Sequence, residues 1–260
     1  MAGRASALGD WYRLHGRHDL VWRATRDRWA VLVSEVMLHQ TQTGRVEAVW
    51  PAFMAEFPTP AAMSSVPPGD VIRAWGRLGY PRRARRLWDA ARRIAAEGWP
   101  DDLRELPGVG RYTAAAVAAL VDDEDVPAVD VNVRRVLERV AGRRLSDTEA
   151  DEVMAAAGAP LRGRERLLAL MDLGALVCRP EPRCAACPLR RRCTTRGPLP
   201  AEGERPAAPE FEGSFRQRRG LVLARLRAGP TPQALLDAEA LESLRRDGLA
   251  VLDGPTARLP

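Results

Sequence analysis

The 260-residue sequence contains no lysine; all 40 of its basic side chains are arginine. That absence removes the usual Schiff-base amine, because a guanidinium stays protonated and cannot attack a carbonyl carbon. What it leaves is a supply of planar forks suited to bidentate phosphate contacts. No stretch approaches the roughly 18 consecutive apolar residues of a membrane span, and the first residues hold no apolar signal core. A cytoplasmic protein without a membrane partner is therefore expected. Internal repeats and low-complexity blocks are absent as well. Cysteine is scarce, and Cys178, Cys184, Cys187 and Cys193 all fall in one short stretch. In a chain with no leader, clustered cysteines point to a metal or cluster site rather than to disulfides.

What is present is an ample core composition, 46% hydrophobic, in a length that holds one large domain or two modest ones and a tail. Net charge is +6 and the pI is near 9.8, which permits a polyanionic partner.

The most informative stretch is 106–132. Leu106 closes one segment, and Pro107, Gly108, Val109 and Gly110 make a turn in which glycine supplies positive φ and a bare backbone surface. Arg111 then opens an alanine-rich helix. Free amides at a helix N-terminus favour an anion, so this helix-hairpin-helix pattern reads as a clamp on a DNA backbone. After Pro127, Asp130 begins a further helical stretch.

Helices are expected at 7–16, 29–39, 43–57 (with Pro51 as a break or kink), 69–78, 82–97, 101–106, 131–141, 146–157 and 164–177, with turns at Pro58, Pro60, Pro67 and Pro68. Residues 29–39 are apolar almost all round, which fits a buried helix or a buried strand. Glu35 and the following Gln40-Thr41-Gln42 interrupt a strand pattern and favour the helix. Residues 197–210 read as a proline-rich linker. The tail is expected to hold helices at 214–227, 231–237 and 238–247. Extended runs at 249–252 and 256–259 then flank Asp253-Gly254 as a hairpin, which hints at a winged-helix module.

Two carboxylates stand out. Glu35 lies among Val31, Leu32, Val33, Val36, Met37 and Leu38. Apolar burial makes its ionisation costly and suits a general acid, while an ion-paired surface glutamate is the ordinary alternative. Asp130 is placed as a helix N-cap, and it could equally stabilise positive charge developing on a sugar. Tyr112 is either a packed aromatic or a hydroxyl partner for Asp130, and Asn132 either a first-turn polar residue or an orienting group. The cysteine spacing, C-x5-C-x2-C-x5-C, has one close pair where structural zinc sites commonly have two. It suits a [4Fe–4S] cluster, with zinc the alternative. Arg179, Arg183, Arg190, Arg191 and Arg192 make the loop a positive, phosphate-facing knob or a solvated surface.

Taken together, six stretches resemble the helix-hairpin-helix DNA glycosylase superfamily that includes endonuclease III, and within it the MutY-type adenine glycosylases in their short actinobacterial form. They are Ser34–Gln42, Leu78–Tyr80, Leu106–Thr113, Val129–Val136, Met171–Cys178 and the remaining cysteines. The resemblance implies an all-α, two-lobed fold: an iron–sulfur lobe from 1–24 and 136–196, a six-helix barrel lobe from 25–135, the linker at 197–210, and a small C-terminal module at 211–260. It implies double-stranded DNA containing a mispair as partner, a monomer, association with the nucleoid, and a flipped base entering between the lobes.

In the same way it assigns roles to residues. Glu35 would protonate adenine and then help activate water. Asp130 would stabilise the oxocarbenium ion, supported by Tyr112 and Asn132. Gln40 and Tyr80 would wedge the duplex, flanked by Thr41 and Leu78; Trp22, Arg23 and Leu38 would line the base pocket. Gly108, Val109 and Gly110 would bind phosphate through their amides, and the four cysteines would hold the cluster. Bifunctional members carry a lysine where Tyr112 stands, so a monofunctional glycosylase is expected. Such an enzyme would act on adenine opposite 8-oxoguanine or guanine; a thymine or uracil mismatch glycosylase, or a non-catalytic DNA-binding iron–sulfur protein, are the alternatives. The chain departs from the family pattern in five places. Five residues rather than six separate Cys178 from Cys184, and Val21, His39, Pro81 and Leu168 replace more usual residues. The tail is also shorter than the Nudix-like domain of full-length relatives.

Overall fold

The computed structural model describes residues 6–200 and 210–260. These form two compact units, each assembled from two stretches of chain: the described residues of Met1–Leu32 with Gly110–Arg205, and of Val33–Val109 with Pro206–Pro260. The chain passes between the units at Leu32/Val33 and at Val109/Gly110, whereas the expected lobe edges lie at 24/25 and 135/136. Most of the expected linker, residues 201–209, lies outside the described residues.

Helix α1 (Ala7–His15) starts where the Ser6 hydroxyl accepts the Gly9 N–H at 3.0 Å and buries Leu8 and Tyr12. Helix α2 (Arg28–Leu38) starts where the Asp27 carboxylate accepts the Ala30 N–H at 2.8 Å. Its stretch Trp29–Met37 is buried on every side, so the helical reading of that apolar run is right. The single helix expected over 43–57 is two: α3 (Thr43–Glu47) and α4 (Trp50–Glu56). Pro51 is the reason, because its missing N–H and its ring are tolerated only in a first turn, and α4 begins there. Where prolines suggested only turns, Pro60 opens a short α5 (Pro60–Ser64) capped by Thr59. Helix α6 (Pro68–Ala74) ends earlier than the 69–78 expected, as Gly76 turns left-handed at φ 55°. Helix α7 (Arg82–Glu97) stops at Gly98 with φ 82°. The helix expected at 101–106 is a single 3₁₀ turn, Leu103–Glu105, closed by Asp102 on its own Arg104 N–H.

Helices α8 (Arg111–Asp122), α9 (Val131–Ala141), α10 (Asp147–Gly158) and α11 (Gly163–Leu176) build the rest of the first unit. Serine 146 and Glu149 form a reciprocal capping box on α10. Helix α11 is the centre of this unit; α1, α8, α9 and α10 all pack on it, and Leu167, Leu170 and Leu173 are fully buried.

In the second unit α7 packs on α5 and α6. Its face of Ala84, Leu87, Ala91 and Ile94 is buried, along with Phe53, Trp75 and Leu106. The tail belongs to this unit. It comprises α12 (Phe215–Ala228), β1 (Thr231–Pro232), α13 (Ala238–Arg246), β2 (Val251–Asp253) and β3 (Thr256–Arg258), with strand order β1-β3-β2. The hairpin expected around Asp253-Gly254 is present and antiparallel, Leu252 facing Ala257. The helix expected at 231–237 is not: Pro232 removes a helical N–H, and Thr231 pairs instead with Ala257 before a 3₁₀ turn at Gln233–Leu235. Helix α12 packs on α6, Arg227 donates to the Ile72 carbonyl at 3.3 Å, and the Gly69 N–H donates to the Pro260 carbonyl at 2.7 Å. Gly69 has no room for a side chain there, since a Cβ would sit 2.6 Å from that oxygen.

Candidate active site

The first unit carries Asp130, Asn132 and Tyr112. Asp130 is the N-cap of α9, and its carboxylate accepts three hydrogen bonds. Oδ1 receives the backbone N–H of Asn132 at 2.9 Å and of Val133 at 2.7 Å; Oδ2 receives the Asn132 side-chain amide at 3.0 Å. These bonds lock one rotamer and hold the charge on the helix axis, at the positive end of its dipole. Asn132 is fixed in turn. Arg135 donates to Asn132 Oδ1 at 2.9 Å, to the Gly174 carbonyl at 2.8 Å and to the Cys178 carbonyl at 2.7 Å. Helix α11 approaches the start of α9 so closely that a Cβ on Gly174 would lie 2.7 Å from the Asn132 carbonyl oxygen. Asp130 is therefore a cap whose carboxylate is held in one fixed orientation. Tyr112 is half-buried on the first turn of α8.

Trp22 and Arg23 share a 3₁₀ turn, Val21–Arg23, of the same unit. The Arg23 guanidinium is gripped by Asp172 of α11, with donations of 2.7 and 2.8 Å, and Arg17 adds its backbone N–H at 2.9 Å and its Nε at 2.7 Å to the same carboxylate. Asp172 is fully buried. Burial alone would push its carboxyl up, but Arg23 and Arg17 outweigh it and hold the group below the usual carboxylate range. This knot was not legible in the sequence, because nothing local marks one aspartate of a helix as the partner of two arginines some 150 residues away.

The second unit carries Glu35, Leu38, Gln40, Thr41, Leu78, Tyr80, Gly108 and Val109. Glu35 is 3% exposed, between Ser34 and Val36, which are equally enclosed. The surface reading of this residue is excluded. Leu78 and Val109 are buried, while Gln40 and Tyr80 stand out to solvent. Both of these exposed residues adopt left-handed backbone, φ 54° for Gln40 and 46° for Tyr80, a conformation that costs about 1–2 kcal/mol in a residue with a Cβ. In the hairpin Gly108 takes φ 84° with the stem of Arg86 lying against it, and Gly110 caps α8, accepting the Ala114 N–H at 3.0 Å.

The cysteines are four free, half-buried thiols. Cys178 follows directly on α11, and Cys184 opens a 3₁₀ turn. Buried Arg139 organises the loop, donating to Cys178 Sγ at 3.5 Å, to the Arg179 carbonyl at 2.6 Å and to the Pro180 carbonyl at 2.9 Å. The Arg196 N–H donates to Cys193 Sγ at 3.4 Å. Burial pushes the Cys187 thiol up to about 11, and Cys178, Cys193 and Cys184 add to that shift. Sulfurs that share one locale and already receive N–H donors fit a group bound by four thiolates. Among the described residues, no three His, Cys, Asp or Glu side chains are drawn in to metal-coordinating spacing.

Residues 33–161 match the model of the HhH-GPD superfamily of base excision DNA repair proteins. The adenine DNA glycosylase of Mycolicibacterium smegmatis is 41% identical, over 93% of this chain and 90% of that protein. The chain belongs to the HhH-GPD superfamily. The adenine DNA glycosylase of Mycobacterium tuberculosis H37Rv is 42% identical, over 92% of this chain and 87% of that protein. The human protein of the same name is 36% identical, and the match spans 43% of its length. Among solved structures of this fold, a thermostable thymine-DNA glycosylase superposes with a TM-score of 0.65 at 26% identity, covering 73% of this chain and 93% of that one. A trapped endonuclease III–DNA covalent intermediate gives 0.61 at 23% identity, with the same coverage, and speaks to the fold alone. The all-α reading of the sequence is thereby borne out. No helix among the described residues is long and apolar enough to cross a membrane.

Proposed function

We propose that this HhH-GPD protein is a monofunctional adenine DNA glycosylase acting on adenine opposite 8-oxoguanine or guanine. The observation that carries the reading is the 41% identity to a named adenine DNA glycosylase across 93% of the chain. The named relatives favour adenine over the thymine and uracil alternatives.

In this reading double-stranded DNA is held by the amides of Gly108, Val109 and Gly110, and Gln40 and Tyr80 enter the duplex as the adenine is everted. Trp22, Arg23 and Leu38 are the residues that would contact the everted base. Glu35, buried in α2, gives a proton to adenine N7, which makes the base a neutral leaving group. The C1′–N9 bond breaks and its electron pair leaves with adenine. Asp130, pinned by Asn132, faces the oxocarbenium ion that remains, with Tyr112 in support. Water adds to C1′ and gives its proton to Glu35, so the product is an abasic sugar and the acid is regenerated. Cys178, Cys184, Cys187 and Cys193 are the residues that would hold a [4Fe–4S] cluster. Such a cluster supplies iron–thiolate bonds across their loop and a centre able to exchange one electron. The Arg139 guanidinium would offset the charge of the Cys178 thiolate, and the Arg196 amide would hydrogen-bond that of Cys193. The tail, in its order of helix, strand, helix and hairpin, is read as a winged-helix-like module, and the protein as a monomer.

Base release from a panel of defined mispairs tests this. Adenine release from A·8-oxoG and A·G is expected from the wild type, reduced by roughly 10²–10⁴-fold in Glu35→Gln, the usual worth of a general acid. Thymine release from G·T with A·8-oxoG untouched would refute it.

A further inference from the structure

We propose that Arg83 is a positioning residue that sets the two left-handed turns at Gln40 and Tyr80 and so aims both wedge side chains at the duplex. The functional half of this rests on the reading of Gln40 and Tyr80 given above.

Helix α7 is rich in arginine, and its other arginines mostly pair with acids at the surface: Arg82 with Asp247, Arg85 with Asp89, Arg93 with Glu97 and Glu105. Arg83 is spent differently. Its NH1 donates to the carbonyls of Val36 at 2.7 Å, Met37 at 3.0 Å and His39 at 2.6 Å. Its NH2 donates to Thr41 Oγ1 at 2.8 Å and to the Gly79 carbonyl at 3.1 Å. The first two carbonyls belong to the last turn of α2, where no intrahelical donor remains. The His39 and Gly79 carbonyls matter more, since each belongs to the peptide that leads into a left-handed residue, Gln40 in one case and Tyr80 in the other. One planar cation therefore bonds both peptides at the points where the chain turns into an unfavourable conformation. Such conformations persist only where their surroundings over-determine them.

The local wiring agrees. Thr41 Oγ1 also reaches the His39 and Leu78 carbonyls, each at 3.3 Å, so it ties the two loops to each other as well as to Arg83. Trp75 Nε1 donates to the same Gly79 carbonyl at 3.0 Å. The guanidinium carbon lies 5.2 Å from the Trp75 ring centroid and 5.5 Å from that of Tyr80, close enough for cation–π attraction to steer the exposed tyrosine. Burial pulls the Arg83 pKa down to about 10, which leaves it cationic at neutral pH. Lysine, a point charge on a flexible stem, cannot reproduce this fork.

The test uses the full chain with Arg83→Lys, and with Thr41→Val as a second variant that leaves the arginine in place. Hydrogen exchange is followed at residues 39–41 and 79–83, where the Thr41 and Arg83 amides are bonded to Leu38 and Tyr80. Base eversion is read from 2-aminopurine fluorescence beside the target adenine, and single-turnover excision is measured in parallel. In Arg83→Lys, exchange should quicken in both loops together, and eversion and excision should fall by about 10–100-fold, the usual penalty of a misplaced group. Binding to undamaged duplex should stay within about twofold, because the phosphate contacts that dominate it are untouched. Thr41→Val should show the same pattern more weakly. The excision loss should vanish when Gln40→Ala and Tyr80→Ala are already present, which a general destabilisation would not do. Unchanged exchange in either loop overturns the proposal, as does an equal loss in that double-alanine background. If the wild type releases no adenine, the enzymatic reading falls, and the exchange result still decides whether Arg83 sets the turns.

Discussion

Replacing Gly174 by alanine should disable Asp130 without touching it. A Cβ on Gly174 would lie 2.7 Å from the Asn132 carbonyl oxygen, 2.8 Å from its Cβ and 2.9 Å from its carbonyl carbon. Ordinary contact begins near 3.4 Å, so α11 and the first turn of α9 must part by roughly 0.7 Å. Overpacking of this kind costs about 1–3 kcal/mol, which in a domain of this size lowers Tm by roughly 5 °C. The chemical effect is larger than the thermal one. Asn132 supplies two of the three donors on Asp130 and cannot move alone, because Arg135 ties it to Gly174 and Cys178. A shift approaching 1 Å in a reacting group costs on the order of 10²-fold, so single-turnover adenine excision should drop by about 10–100-fold. The assay pairs that rate with affinity for a mispaired duplex carrying a non-hydrolysable nucleotide, which should stay within about twofold. A Gly174→Ala protein that melts and excises like the wild type would refute the account of how Asp130 is held. One that loses binding and excision together would mean that the unit has collapsed rather than that one acid has moved.

Other outcomes follow from the same geometry. Asp130→Asn should abolish excision while duplex binding, measured by anisotropy, persists; full activity in that variant would leave the acid a mere cap. Asp172→Asn should destabilise by about 3–5 kcal/mol in a denaturant titration, because it strands the buried Arg23 and half-buried Arg17. The folded Asp172 carboxyl titrates below its ordinary 3.8, so its contribution is complete above that pH and is lost as pH falls toward the lower folded value. A stability profile flat through acid pH relative to Asp172→Asn would contradict this. Borohydride should trap no side-chain adduct on DNA, since the sequence has no lysine. Gly69→Ala should free the end of the tail, seen as faster hydrogen exchange at 256–260, since the new methyl group would meet the Pro260 oxygen at 2.6 Å.

The hairpin, the buried α2 and the cap at Asp130 were legible because each is written in adjacent residues: Pro-Gly-Val-Gly, an apolar run broken by one glutamate, and Asp followed by a helical pattern. Pro51 was legible as a disturbance but not as a boundary, since proline marks the start of α4 as readily as a kink. Arg83 was hidden in plain view. It lies four residues before Leu87 and so falls on the apolar stripe of α7, among arginines that face water. The stripe was a signal that one arginine points inward, but its partners are carbonyls of distant loops, and carbonyls leave no mark in a sequence. The Asp172 knot was illegible for the same reason of distance, and the docking of the tail depends on the absence of a side chain at Gly69.

The Asp172 knot also imposes an order on synthesis. Arg17 and its carboxylate partner are separated by 155 residues. At roughly 5–20 residues per second, Arg17 and Arg23 must wait about 10–30 s during synthesis before Asp172 is made and can close around them. The intervening segment from Val33 to Val109, which belongs to the other unit, can begin to compact in that interval, before the carboxylate that the two arginines need has been made.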